Sequence, residues 1–176
     1  MPPDATSEPA PVEDLPRWDL STRFGFDSPF SEDIDKHLEE TRVSAKAFKE
    51  KYEGKLESPD EVSLFDAVSE YEQISIRRGI VSSFLSLSYD VKLDDEALKK
   101  RKGAVSQLQS SIVGDYLEWF TLDLASLSQA VLSAHKEKTP DLAKYEAFIE
   151  EVQRQKPHDL SKVSEKSEES IRIGVI

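Results

Sequence analysis

Apolar residues recur near every 3.6 positions along this chain, and helix-starting signals interrupt them repeatedly, which leaves few folds open other than a packed set of helices. Ile34, Leu38, Ala45, Phe48 and Tyr52 line one face of a first helix, with Gly54 placed to end it. A second runs from about Pro59 toward Tyr89, with Val62, Phe65, Val68, Leu85 and Tyr89 in register. A third, from about Asp95, carries Leu98, Val105, Leu108, Ile112, Tyr116 and Trp119. Shorter helices are expected near Gln129 to His135 and Pro140 to Gln155. Ser28-Pro29, Ser58-Pro59 and Thr139-Pro140 each put a capping hydroxyl before a proline suited to the first helical position. Glu61 and Gln129 offer capping-box partners to Ser58 and Ser126, and Asp94-Asp95-Glu96 suits the positive end of a helix dipole.

The second and third helices, at roughly 30 residues or about 45 Å each, are separated only by Asp90 to Asp94. That spacing predicts a long antiparallel hairpin with shorter helices packed on it, an all-α fold. No alternating strand pattern appears before the last residues. Residues 1–14 are Pro-rich, small and acidic, and read as a disordered leader. Order is expected to begin at Leu15, with the Trp18 indole packed against the helical body. Residues 15–161 form the helical unit, and 162–176 read as a divergent or truncated tail with a β-prone end, Ile171 to Ile176.

The net charge of −12 opposes binding to phosphate backbones and anionic lipid, so nucleic-acid and membrane partners are not expected. With no cysteine, thiolate catalysis and Cys-ligated metals are excluded, and a reducing compartment is compatible. The N-terminus lacks a basic and apolar secretory signal, and no stretch approaches the roughly 20 apolar residues of a spanning helix. A cytoplasmic location is the simplest expectation.

No residue set for chemistry emerges. His37, His135 and His158 are scattered, so the H-E-x-x-H zinc-protease spacing is absent. His37 is expected on a solvated face near Glu39 and Glu40, and His135 at a helix end, its charge favourable to the dipole. Glu39-Glu40 and Glu150-Glu151 are adjacent and splay apart on a helix rather than forming dyads. Gly103 and Gly114, single glycines inside a helical pattern, are expected at close-packing points. Lys99, Lys100, Arg101 and Lys102 point around the whole helix, with Arg101 and Lys102 laying their stems over the apolar face. Arg78 and Asp115 both fall beside apolar stripes; they either meet as an ion pair across the hairpin or sit at its wet edge. Catalytic, cofactor and metal residues are therefore all expected to be none.

Several segments together resemble a known family. Leu15-Pro16-Arg17-Trp18-Asp19-Leu20-Ser21, the helix end Ala47-Phe48-Lys49-Glu50-Lys51-Tyr52-Glu53-Gly54-Lys55-Leu56 and the Leu85 to Glu96 turn come first. Trp119-Phe120-Thr121-Leu122-Asp123-Leu124, Tyr145-Glu146-Ala147-Phe148-Ile149 and Lys156-Pro157-His158-Asp159-Leu160-Ser161 follow in the same order as in oligoendopeptidase F-type peptidases. Arg23-Phe24-Gly25-Phe26 departs from the usual acidic-aliphatic-Tyr continuation. The resemblance implies a helical N-terminal lobe that precedes a zinc catalytic domain, the two enclosing a channel for short peptides. It carries no zinc ligand onto this chain, because the family's ligands lie beyond the region that corresponds to it. The expectation is a non-catalytic lobe, inactive alone, either a fragment or a split subunit. Its expected partner is the catalytic half or a second copy of itself. A free-standing helical module that binds a protein partner is the alternative.

Overall fold

The computed structural model describes residues 19–155, which are almost wholly helical, with no strand among them. The expected anchor Trp18, the leader, His158 and the tail lie outside the described residues. The elements are α1 (Leu20–Phe24), α2 (Glu32–Tyr52), α3 (Leu64–Asp90), α4 (Glu96–Tyr116), α5 (Glu118–Ser126), α6 (Gln129–Lys138), a 3-10 turn (Pro140–Tyr145) and a last helix, α7, over 146–155.

A side chain starts most of these helices. Asp19 caps α1, accepting from the Ser21 amide at 2.9 Å and from the Ser21 and Thr22 hydroxyls at 2.6 and 2.7 Å. Those three donors favour the carboxylate and lower the Asp19 pKa to about 2. The sign follows directly: with the folded pKa depressed, the cap stabilises α1 above the ordinary carboxylate value and loses that effect as pH falls through about 2. In an NMR titration the Ser21 amide is expected to shift with a midpoint near 2. A midpoint at the ordinary Asp value would contradict the cap. Gly25 ends α1 at φ 74°, where a Cβ would be strained.

Three of the expected starts move. Ser31, not Ser28, caps α2, and Ser63, not Ser58, caps α3. Ser58 to Val62 instead form a turn, the Glu61 and Val62 amides donating to the Ser58 carbonyl at 3.0 and 3.3 Å. The chain uses this stretch to reverse after α2, so Pro59 and Glu61 stand in a loop and the Ser58 capping box does not form. Ser128 rather than Ser126 caps α6, accepting from the Val131 amide. Pro140 does open the 3-10 turn, but Thr139 gives it no side-chain cap. Asp95 caps α4 through the Leu98 amide at 2.9 Å, within the acidic start expected there.

The long helices are shorter than about 30 residues: α3 has 27 and α4 has 21. The expected third helix breaks at Leu117, which is buried, and α5 continues in a new direction. The Trp119 indole N–H donates to the Tyr116 carbonyl at 2.8 Å, satisfying a group freed by the break. That turn carries Trp119 and Phe120 into the core. Between α3 and α4, Lys102 lies over the Tyr89 ring at 5.2 Å, and Ser82 donates to Gln109 at 2.6 Å. Rising numbers on one helix meet falling numbers on the other, so over this stretch they run in opposite directions.

Two apolar clusters result. One is centred on Phe48, whose ring lies 5.1 to 6.2 Å from Tyr52, Tyr71, Trp119 and Phe120. It joins α2, the start of α3, α5, α6 and α7. The other gathers Phe26, Ile34, Leu38, Val81, Phe84, Leu85, Leu98 and Val105 around the far end of α3. Every apolar residue assigned to the first helix face is buried. Leu108 is not: it is 42% exposed, and Gln109 takes the inward position. Gly103 and Gly114 are exposed with open space where a Cβ would stand, so neither is a close-packing point.

Candidate functional site

The two described histidines are both committed to the fold. His135, expected at a helix end as a favourable charge, is 2% exposed, and its Nε2 donates to the Leu56 carbonyl at 2.9 Å. It ties α6 to the loop after α2, a role set by a carbonyl that α2 leaves 79 residues earlier. His37 is also less solvated than expected. Its Nε2 donates to the Arg77 carbonyl of α3 at 3.0 Å, and its ring meets Phe26 edge-on at 5.7 Å. A carbonyl can only accept, so in both rings Nε2 carries the proton. The two imidazoles belong to different packing clusters. Among the described residues no group of three or more His, Asp or Glu side chains is placed to hold a metal ion. The described residues therefore present no zinc-binding set.

The acidic pairs are equally dispersed. Glu39 binds Arg42 at 2.6 Å, which holds its carboxyl below the ordinary range, and Glu40 is exposed. Glu151 pairs with Arg154 at 2.6 Å. Among the described residues Asp123 is the one carboxyl with a raised pKa, through partial burial first and then the nearby Glu53 charge. Lys51 and the Tyr52 hydroxyl both donate to Glu70, the latter at 2.8 Å. Burial chiefly raises the Tyr52 pKa. Lys51 and Glu70 border a groove of about 360 Å³ between α2 and α3, lined also by Ser44, Phe48, Gln73, Ile74 and Arg77. The Ser44 hydroxyl in its lining donates to the Glu40 carbonyl at 2.9 Å.

The basic run does not form a stripe. Arg101 pairs with Asp35 at 2.8 Å, Lys102 covers Tyr89, and Lys99 and Lys100 are exposed. Arg78 and Asp115 do not meet. Asp115 is exposed, while Arg78 is half-buried with its Nε enclosed and unpartnered among the described residues. Burial lowers the Arg78 pKa. Below the guanidinium, Gln109 is 6% exposed; its amide donates to the Arg78 carbonyl at 3.0 Å and accepts from Ser82. Sequence reasoning missed Gln109, although its place four after Val105 and three before Ile112 puts it on the buried stripe.

The fold is all-α, and its described helices include none long and apolar enough to cross a membrane. Residues 123–167 match the family model described as Oligopeptidase F, of the peptidase M3 N-terminal region. Over those residues the chain is similar to the N-terminal region of oligoendopeptidase F-type peptidases. The match covers about a quarter of the chain, from the end of α5 through α6, the 3-10 turn and α7 and on to residue 167. No curated protein and no solved structure matches the chain.

Proposed function

We propose that this chain is a non-catalytic N-terminal helical lobe, a fragment or split subunit, of an oligoendopeptidase F-like zinc metallopeptidase that cleaves short peptides when whole. The family match at residues 123–167, set within an all-α fold, carries this reading. Zinc and the groups that activate water belong, in this reading, to a separate catalytic half. The lobe's part is to pack against that half and wall the peptide channel. Its partner is that half or, without it, a second copy. Val43, Ile76, Leu87, Leu108 and Leu122 leave apolar side chains exposed on α2 to α5. The absence of cysteine is compatible with work in the cytoplasm.

The homogeneous chain is expected neither to cleave a quenched peptide nor to bind zinc stoichiometrically. A matching catalytic half added in trans is expected to give a discrete complex in sedimentation. Chelator-sensitive cleavage by the chain alone would refute the non-catalytic reading. A compact monomer at high concentration, binding no apolar dye and unchanged by the added half, would favour a free-standing helical module.

A further inference from the structure

None of the chain's 35 acidic residues falls within 73–89 or 97–114, the facing lengths of α3 and α4. Residues 79–89 and 103–114 carry no charge of either sign. In a chain of net charge −12, this face is depleted of anions. At its edge, Arg78 borders a shallow concavity of about 330 Å³, whose lining extends past the depleted stretches to Glu118. Tyr71, Val113 and Leu117 give the concavity apolar walls, and Gly114 leaves open space where a side chain would project.

Arg78 makes no side-chain hydrogen bond and no ion pair with the described residues. Only its Nε is both enclosed and unpartnered, so the terminal Nη groups are the part left open to a ligand. A half-buried guanidinium has lost hydration that an acceptor restores best when it is charged and planar. Glu118 also lines the concavity but stands beyond ion-pair distance of Arg78. The hydroxyls of Ser110 and Thr121 already donate to the Ser106 and Glu118 carbonyls, at 3.0 Å each. Their lone pairs therefore remain free to accept from an amide N–H.

We propose that this concavity binds a carboxylate carried on a small apolar, amide-bearing body, with the Arg78 guanidinium as its anchor. A phosphate dianion suits it less well, since only one cation lines the site and Glu118 repels a second negative charge. The chemistry is shared by a peptide's free C-terminus and by an Asp or Glu side chain. The inference does not rest on the peptidase reading, because binding is measured on this chain alone.

The test follows the Arg78 Nε–H resonance by NMR, assigned by its absence in Arg78→Lys, while N-acetyl-leucine or N-acetyl-leucinamide is added. The acid is expected to shift that resonance with a dissociation constant on the order of 1 mM. It should bind about tenfold tighter than the amide, the scale of one charge-assisted hydrogen bond. N-acetyl-aspartyl amide forms the second arm: the tighter of the two acids identifies a chain terminus or a side chain as the source. Followed instead on the backbone amide of Gly114, which lines the concavity, Arg78→Lys should weaken binding about tenfold, because it keeps the charge but loses the planar fork. Arg78→Met should abolish binding with an undiminished thermal midpoint. Three results would overturn the proposal: no shift, equal shifts from acid and amide, or a change at Arg78 on Glu118→Gln alone, which would make Glu118 the partner. Should Arg78→Met fail to fold, the acid-against-amide comparison on the natural chain still decides.

Discussion

Phe48→Ala is expected to be the most damaging single truncation among the described residues, lowering stability by about 3–5 kcal/mol. Phe48 is 1% exposed and touches four aromatic rings contributed by α2, α3 and α5. Removing its ring forfeits the transfer free energy of the side chain and leaves a void. Tyr52, Tyr71, Trp119 and Phe120 cannot collapse into it together, since they are held by three different helices. A domain of this size has roughly 5–15 kcal/mol in total, so the loss is a large share of it. With a urea slope of about 2 kcal/mol per molar, the midpoint should fall by roughly 2 M. Phe30→Ala, at a ring 54% exposed, is the control and should stay within about 0.5 kcal/mol of the natural chain. A Phe48→Ala midpoint close to that of the control would show that the aromatic cluster is not the centre of the core.

His135→Ala is expected to cost about 3 kcal/mol, through a different mechanism. The imidazole fills buried volume and its Nε2–H satisfies the Leu56 carbonyl at 2.9 Å. Truncation leaves a cavity and a buried acceptor without a donor. The damage should begin locally, because Leu56 is itself 2% exposed and anchors the reversal between α2 and α3. Hydrogen exchange at the amides of Lys55 to Val62 should accelerate before the rest of the domain opens. A loss below about 1 kcal/mol, with unchanged exchange in that turn, would mean that solvent reaches the carbonyl and that the histidine is dispensable.

The all-α class and the buried face of α2 were legible because they depend on local periodicity. Ile34, Leu38, Ala45, Phe48 and Tyr52 repeat at three and four residues, and one stripe of a helix must be buried wherever the helix packs. The Asp95 start and the end near Gly54 were legible for the same reason, since caps and left-handed glycines act within a few residues. The choice between competing local signals was not. Ser58-Pro59 is as good a cap as Ser63 by sequence, but the chain must reverse there to bring Leu56 under His135. The break at Leu117 was hidden too, because the apolar period continues through Trp119 while the helix axis does not.

Residue types by themselves determined that this chain is helical, acidic, free of cysteine, and without the H-E-x-x-H spacing of a zinc peptidase. Tertiary structure alone decided which polar groups became committed. It drew His37 and His135 to carbonyls of distant segments, turned Gln109 inward in place of Leu108, and left Arg78 half-buried without an acid among the described residues. The physical reason is one of range. Periodicity and capping are settled within a turn of helix, whereas the partner of a buried polar group is whatever another segment, tens of residues away, brings within about 3 Å.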